Sequence, residues 1–520
     1  AGSQNVSGGG NTLIGNVAFY NHAAGASNTV IGSGSMQGDG TNKPSSSSNN
    51  TSIGVAAMKF ASGSQSSVAI GNGALAGASN NTSNYNVAIG YTALSGTTGA
   101  DQNVAIGREA GFSVQDGVEN VFVGDQVAYA ITTGGYNVAI GSDAFKGATT
   151  ANYNVAIGKN AMSTGTLTSS HNIGIGYNAA SSAQGAATEN IALGSYAGQD
   201  LTTGVRNTFV GTYAGTGNTT GQDNVAIGHS ALQENQDGDD MVAIGRYAAY
   251  NTNPAGGTGD SVVIGSSAAF TNTTGVQNVV IGRRAAYSGT SASNIVVIGR
   301  EAGEKISTGS SNIVIGGRAG YNITKGAENV MIGQNAGYNY AGTTSGVYGA
   351  FSVFIGHAAG YAVTGNHSYG SVMAIGHQPM YNATGAKKSI AIGQSAVVSG
   401  TNAEDVVALG NGAGAYADAT GSTIIGNKAG FRSSGNYNTV VGYRALSGSS
   451  SGDTSNLNVA IGYTAMEDST SASENVAVGS YAGGNITTGD YNTAIGYAAL
   501  RSGAAMSRQV AVGYFALGNY

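Results

Sequence analysis

Short runs of apolar residues, each ending in glycine, recur along the whole chain. One copy, Asn-Val-Ala-Ile-Gly, occupies residues 86–90, and 29 such motif glycines occur between Gly15 and Gly513. Of the 28 spacings between them, 18 are 17 residues, and the others lie between 16 and 23. A fixed period of this length is typical of stacked coils that bury their apolar sides against one another. The pattern predicts an all-β fold, a parallel β-roll or β-solenoid of about 29 coils forming one continuous domain over residues 1–520.

Each coil is expected to contain two short strands and two turns. The run Asn-Val-Ala-Ile is β-branched and bounded by glycine, which indicates a buried strand. Alanine follows the motif glycine three residues later in 26 of the 29 copies, and a Thr-Thr-Gly often comes next. An apolar residue ahead of that triplet, such as Ile131, suggests a second, weaker strand. The glycines are expected where a turn needs positive φ or close backbone approach. The repeat is represented by Asn137, Ile140, Gly141 and Ala144.

Asparagine stands four residues before the motif glycine in 19 of the 29 copies. Identical amide side chains that stack from coil to coil can hydrogen-bond along the stack as a ladder. Asparagine also tolerates turn conformations, so a role at a corner of the coil is the alternative. Both interpretations are structural, and neither makes these residues a binding site.

Four coils are enlarged, at about 37–50, 246–261, 338–351 and 446–458. Insertions in solenoids emerge as loops, often on the binding side. Tyrosine-rich loops suit adhesion because their rings offer large amphipathic contact areas. A tolerated insertion that packs on its own coil is the alternative. The aromatic residues of the enlarged coil at 338–351 form the candidate adhesive loop, and they are Tyr338, Tyr340, Tyr348 and Phe351.

The Val-Ala-Ile strand is apolar on both faces. Because alternate side chains of a strand face opposite ways, Val87 and Ile89 share one face and Ala88 points to the other. A strand with one face in water would carry polar residues on that face. We therefore expect each strand to be covered twice, by its own coil and by another chain in a parallel homotrimer. Aspartate at three central alanines together is then expected to break the assembly, and these are Ala105, Ala139 and Ala156.

The motif Asn-Val-Ala-Ile-Gly-x-x-Ala resembles the head repeat of trimeric autotransporter adhesins of the YadA type. The resemblance covers residues 11–520, and it implies three chains wound as parallel left-handed β-rolls around a threefold axis. Similar repeats occur in bacteriophage tail fibres and in large secreted bacterial surface proteins. The repeat here is longer than the usual repeat of that family, so longer turns are expected.

Composition and charge narrow the classes of function. Only 9% of the residues are charged, and the net charge is −6 with both signs scattered, which gives no electrostatic footprint for nucleic acid. No apolar stretch is long enough to cross a membrane as a helix, so we expect no membrane insertion. The chain has no cysteine and begins at Ala1 without an apolar leader, which favours an extracellular location.

Three features could carry chemistry, and an ordinary role in the repeat is favoured for each. His357 and His377 follow motif glycines in successive coils and could bind a metal in a trimer, but the same position elsewhere tolerates many residues. The acidic run 237–240 could collect Ca²⁺, although a solvated turn is favoured. The glycine-rich run 410–415 precedes no helix that could hold a pyrophosphate. We expect no cofactor, no metal and no enzymatic activity.

These observations favour an extracellular structural or adhesive fibre on the cell surface, with a host surface, matrix or glycan as candidate ligand. The alternative is the shaft or receptor-binding rod of a bacteriophage tail fibre. Neither end carries a polar cap, and uncapped strand edges template association. We therefore expect trimers to stack head to tail into a filament, with residues 1–14 of one subunit meeting residues 500–520 of the next. The alternative is that the chain is a fragment of a longer protein that carries caps, a stalk or an anchor.

Overall fold

A computed structural model of the chain describes residues 7–38, 46–77, 81–165, 167–254, 257–340, 351–364, 371–400, 403–416, 418–448 and 454–518. The chain divides into two units, residues 1–260 and 261–520. Each unit is a β-solenoid whose coils each contribute one strand to a parallel sheet. The predicted fold class is confirmed, and the described residues contain no helix. The central parts of the four enlarged coils, 39–45, 255–256, 341–350 and 449–453, lie outside the described residues.

The strands are three residues long, except for two strands of four residues in the second unit. The strands of the first unit are β1 (Thr12–Ile14), β2 (Thr29–Ile31), β3 (Thr51–Ile53), β4 (Val68–Ile70), β5 (Val87–Ile89), β6 (Val104–Ile106), β7 (Val121–Val123), β8 (Val138–Ile140), β9 (Val155–Ile157), β10 (Ile173–Ile175), β11 (Ile191–Leu193), β12 (Thr208–Val210), β13 (Val225–Ile227) and β14 (Val242–Ile244). The strands of the second unit are β15 (Val262–Ile264), β16 (Val279–Ile281), β17 (Val296–Ile298), β18 (Ile313–Ile315), β19 (Val330–Ile332), β20 (Val353–Ile355), β21 (Val372–Ile375), β22 (Ser389–Ile392), β23 (Val407–Leu409), β24 (Thr423–Ile425), β25 (Thr439–Val441), β26 (Val459–Ile461), β27 (Val476–Val478), β28 (Thr493–Ile495) and β29 (Val510–Val512).

Consecutive strands within a unit pair in parallel with equivalent repeat positions aligned. Between β5 and β6, for example, Ala88 lies opposite Ala105 and Ile89 lies opposite Ile106. The central residue of each strand points into the coil, and Ala88 is fully buried there. The alanine that follows the motif glycine, represented by Ala144, is also fully buried. Two small side chains therefore recur inside the core in the typical coil.

The motif glycine is required because the backbones of successive coils approach closely at this point. Gly141 has φ of 132°, a region that is essentially restricted to glycine. A Cβ atom built on Gly141 would lie 2.7 Å from the carbonyl carbon and oxygen of Gly158 in the next coil. The predicted role of this glycine is confirmed in both respects, positive φ and close approach.

The turn after the motif glycine also places ordinary residues in the left-handed region. Thr92 has φ of 49° and Leu94 has φ of 51°, and equivalent residues of the other coils behave in the same way. The left-handed conformation costs a non-glycine residue about 1–2 kcal/mol. The Leu94 amide donates a hydrogen bond to the carbonyl of Ala110 at 3.0 Å, and the Leu94 side chain is fully buried. Packing and hydrogen bonding along the stack offset the strain.

Among the described residues, the predicted second strand is reduced to isolated parallel bridges in a few coils, such as Ser48 with Gln65, whereas its inward apolar residue is confirmed. Ile131 is fully buried ahead of the Thr-Thr-Gly, but the triplet forms a bend. The amides of Thr202, Thr203 and Gly204 all donate to the single carbonyl of Thr219, at 2.9, 3.0 and 3.2 Å. The hydrogen bonds of a parallel ladder are evenly spaced along the strands, so three donors that converge on one acceptor do not form a strand.

The asparagines form the predicted hydrogen-bonded ladder. The backbone amide and the side-chain Nδ2 of Asn137 both donate to Oδ1 of Asn120, each at 3.0 Å. Asn154 in turn donates to Oδ1 of Asn137 through the same two groups, at 3.0 and 3.2 Å. Asn137 Nδ2 also donates to the carbonyl of Ala151 at 2.8 Å, across the coil. Each buried amide therefore links adjacent coils and closes a corner, so both structural interpretations of the asparagine hold.

Large residues at the strand centre are accommodated by glycines in the turn. Phe209 replaces the usual alanine at the centre of β12 and is fully buried. Gly198 and Gly215 occupy the turn position four residues after their motif glycines, in the preceding coil and in the same coil. A Cβ atom at these glycines would lie 2.8 and 2.5 Å from the ring of Phe209. The ring of Phe209 therefore fills the space that side chains at these two turn positions would otherwise occupy, so the interior stays densely packed.

Candidate functional site

The outer face of the strands is an apolar surface in each unit. The residue before the motif glycine is Ile, Val or Leu in all 29 copies. In a single chain these side chains remain partly exposed, since Ile106 and Ile140 are each 38% exposed and Ile495 is 40% exposed. Val104, at the other outward position of β6, is half-buried. We call this surface the outer strand face, defined by the first and third residues of the three-residue strands.

The three alanines that were expected to contact another chain lie instead in the core of their own coils. Ala105 and Ala139 are fully buried, and Ala156 is 1% exposed. The expectation that aspartate at these positions tests the assembly is therefore wrong, because such a change would destroy the coil itself. The closed coil directs the small central residue inward, where the space is narrow, and the larger β-branched residues outward. The surface to test is the outer strand face.

The candidate adhesive loop is divided between the core and the surface. Tyr340 is 1% exposed, and its ring packs edge-on against Phe354 with centroids 5.3 Å apart, which corrects its assignment as a contact residue. Burial raises the pKa of Tyr340. Tyr338 is half-buried, and Tyr348 lies outside the described residues. Phe351 is 56% exposed and borders a groove of about 360 Å³ that includes Val353 of the outer strand face.

Tyr338 belongs to a column of tyrosines that spans four successive coils of the second unit. The rings stack face to face, with centroid distances of 5.1 Å from Tyr321 to Tyr338, 5.0 Å from Tyr338 to Tyr361 and 4.9 Å from Tyr361 to Tyr381. All four residues stand five positions after their motif glycines, so the repeat itself places one ring above the next. We call these four residues the tyrosine column.

A cluster of arginines surrounds one carboxylate beside the tyrosine column. The carboxylate of Glu301 pairs with Arg283 at 2.9 Å, Arg300 at 3.0 Å and Arg318 at 2.7 Å. The hydrogen bond from Arg318 lowers the pKa of Glu301, and burial opposes that shift. Sequence reasoning missed this cluster. Its signal was the placement of these residues one or two positions after successive motif glycines, which stacks them on one side of the coil.

The other candidate chemical sites do not assemble into a metal centre. His357 and His377 stack at a centroid distance of 5.1 Å, and both are exposed. Asp239 Oδ1 accepts a hydrogen bond from the amide of Gln222 at 2.7 Å, as a turn residue would. Among the described residues, no group of three or more His, Asp or Glu side chains could hold a metal ion.

Comparison with protein-family models, curated proteins and solved structures finds no match for this chain. The described residues include no helix that is long and apolar enough to cross a membrane. The surfaces of the coils are therefore the features from which a function is inferred.

Proposed function

We propose that the chain is a non-enzymatic, extracellular structural or adhesive fibre in which three parallel copies pack their outer strand faces together. The observation that carries this proposal is the outer strand face itself, which is apolar at the third strand position in every copy of the repeat. A contiguous exposed apolar surface marks an interaction site, because monomeric soluble proteins rarely leave one uncovered.

The periodicity of this surface favours a second copy of the chain as its partner. The apolar side chains recur once per coil, at the spacing of adjacent parallel strands, and the register is kept from coil to coil. Only a partner with the same repeat distance can stay in register over many coils. Covering an isoleucine that is about 40% exposed contributes roughly 1 kcal/mol, and this contribution recurs in each coil. Self-association through many coils would therefore be strong.

The threefold arrangement rests on the resemblance to trimeric adhesin heads, in which three β-rolls pack around one axis. Head-to-tail stacking of such trimers into a filament stays a prediction. The same geometry would also suit the shaft of a bacteriophage tail fibre, and the neighbouring genes distinguish the two origins. Secretion genes beside the coding sequence would support the surface fibre, and tail and baseplate genes would support the phage fibre.

The test introduces charge on the outer strand face and measures the mass of the assembly. Ile106→Glu combined with Ile140→Glu places two carboxylates on this face, where a trimer would bury them. Tyr91→Glu combined with Tyr177→Glu is the matched control, because these side chains are 54% and 41% exposed but follow the motif glycine. Light scattering is expected to report a trimer for the unmodified chain and the control, and a smaller species for the isoleucine variant. A stable monomer of the unmodified chain at micromolar concentration would reject the proposal.

A further inference from the structure

The positive charge of the second unit is concentrated in a short segment. Residues 261–400 contain eight basic and three acidic residues, although the whole chain has a net charge of −6. Six of the eight basic residues lie between positions 283 and 325, and the acidic residues within that segment are Glu301 and Glu304. The excess positive charge therefore belongs to a few adjacent coils.

Glu301 cancels only part of the charge that surrounds it. Three guanidinium groups share its two oxygens, and the side chains of Arg283, Arg300 and Arg318 remain 55%, 52% and 45% exposed. The Glu301 side chain is 11% exposed, so solvent and ligands meet the arginines first. Because a guanidinium carries five N–H donors in a planar fork, these arginines keep donors for a further anion.

The same coils bring the cationic groups against aromatic rings. The guanidinium carbon of Arg284 lies 4.2 Å from the ring centroid of Tyr287, and Arg284 pairs with Glu304 at 2.5 Å. The Lys305 ammonium lies 5.2 Å from the ring centroid of Tyr321, the first ring of the tyrosine column. Cation and aromatic contacts therefore form one surface that extends over successive coils in the stacking direction.

We propose that this surface, comprising Arg283, Arg284, Arg300, Lys305, Arg318 and the tyrosine column, binds a linear acidic polysaccharide that lies along the stacked coils. Guanidinium groups recognise carboxylate or sulfate through paired hydrogen bonds. The column repeats a phenol about every 5 Å, comparable to the length of one sugar unit in an extended glycan. Tyrosine combines an apolar ring with a hydroxyl, so it can contact both the apolar and the hydroxyl-bearing parts of a sugar.

Single-stranded nucleic acid is the less suitable polyanion for this surface. Its bases bind by stacking on free aromatic faces. The rings of the tyrosine column already stack on one another with interplanar angles of 10°, 8° and 13°, so the faces between them are occupied. A polysaccharide needs only the ring edges and hydroxyls together with the arginines.

This proposal rests on the proposed adhesive function and names the class of ligand that the fibre binds. Glycan binding is measured separately from the oligomeric state. The full chain is titrated at low salt with polygalacturonate, dextran sulfate, uncharged dextran and oligo(dT). Binding of the two acidic polysaccharides that weakens with added NaCl, without binding of dextran, is the expected result. Equal binding of dextran, or tighter binding of oligo(dT) than of both acidic polysaccharides, would overturn the inference.

Variants locate the site within the chain. Arg300→Gln with Arg318→Gln is expected to weaken binding by about tenfold or more, because two charge-assisted contacts are lost. Arg300→Lys with Arg318→Lys keeps the charge but loses the planar fork, so an intermediate affinity is expected. Arg108→Gln with Arg206→Gln removes the same charge from the first unit and should leave the affinity unchanged. An equal loss of polysaccharide affinity in the Arg300→Gln, Arg318→Gln variant and in this control would overturn the proposed site.

Circular dichroism and the melting temperature show whether the Arg300→Gln, Arg318→Gln variant folds. If it does not, Arg300→Gln with Glu301→Gln and Arg318→Gln avoids an uncompensated carboxylate and provides the same binding test. Light scattering of the unmodified chain shows its oligomeric state, so an unmodified trimer that binds neither acidic polysaccharide would reject the ligand and leave the proposed assembly intact.

Discussion

In the first unit, Arg108 and Arg206 each pair with an aspartate one coil further on, whereas in the second unit three arginines surround Glu301. Residues 1–260 contain seven basic and fifteen acidic residues, a net charge of −8, and residues 261–520 contain thirteen basic and eleven acidic residues, a net charge of +2. The two units therefore present different electrostatic surfaces from the same coil.

The interiors of the two units differ much less than their surfaces. Gly141 and Gly316 have φ of 132° and 130°, and a Cβ atom at either would lie 2.6–2.7 Å from backbone atoms of the next coil. The strand centre is buried in both units, as Ala139 and Val314 illustrate. Inward positions are constrained by the coils above and below, whereas the outward positions after the glycine meet no such constraint. Function can therefore vary on the outside while the coil stays the same.

The largest expected effect comes from the motif glycines and should be equal in both units. Gly141→Ala or Gly316→Ala forces a Cβ into the adjacent backbone at a φ that alanine avoids, so we expect a loss of about 3 kcal/mol or more in local stability. Gly317→Ala is the control, because a Cβ there meets nothing within 4 Å. Hydrogen exchange of the flanking coils measures the loss. A substantially smaller loss in one unit would show that the interiors are not equivalent.

The asparagine ladder should show the next largest effect. Asn137→Ala removes the acceptor of two Asn154 groups and leaves them buried, so we expect a loss of about 2 kcal/mol. Asn137→Ser should lose less, because serine already fills this position at Ser67, whose hydroxyl accepts from the Asn86 amide at 3.1 Å. Hydrogen exchange of the Asn154 amide is the measurement. Equal losses for alanine and serine would exclude the hydroxyl as a substitute acceptor.

Between pH 7 and pH 5, the first coils of the first unit should lose stability because of one buried histidine. His22 is fully buried, stacks on Phe19 at 4.3 Å and donates from Nε2 to the carbonyl of Met36 at 2.8 Å. Burial lowers the pKa of His22 to about 4 from 6.5. The unfolded chain therefore binds the proton more tightly, and the stability present above pH 6.5 is lost as the pH falls toward 4. We expect a loss of about 2 kcal/mol between pH 7 and pH 5.

The control for this pH effect is His22→Gln, which removes the titrating group. Below pH 6.5 the unmodified chain should lose hydrogen-exchange protection of the residues near His22, whereas the variant should show no such loss. A pH-independent difference between the His22 variant and the unmodified chain would contradict the prediction.

The smallest effect is expected for the single ion pairs of the first unit. Arg206 and Asp223 meet at 2.6 Å, but their side chains are 50% and 38% exposed, so water and salt screen the interaction. Arg206→Gln should leave hydrogen exchange of its coil unchanged. Arg318→Gln should cause a measurable loss in the second unit, because its partner Glu301 is only 11% exposed and belongs to a network of three arginines. Equal effects would remove the distinction between the two surfaces.

The candidate surfaces were only partly predictable from the sequence. Tyr338 is half-buried and Phe351 is exposed, whereas Tyr340 lies in the core. Nothing in the local sequence pattern distinguishes the buried Tyr340 from Tyr338, two positions earlier. The arginines around Glu301 could have been found by writing the chain in register with its motif glycines. Residues at the same repeat position in successive coils contact each other directly because the coils stack. Aligning the repeats therefore predicts side-chain contacts better than looking at neighbours along the chain does.

The sequence by itself determined the parallel solenoid, the position of its strands, the glycine approach and the asparagine ladder, because each depends on the same residue recurring at a fixed spacing. Only the tertiary structure decided which face of the strand is inside, because Val-Ala-Ile is apolar on both faces and alternation alone cannot orient it. It also decided that the Thr-Thr-Gly segment is a bend, since three amides converge on one carbonyl of the next coil. These outcomes depend on how the coil closes on itself and stacks on its neighbours, which no single repeat contains.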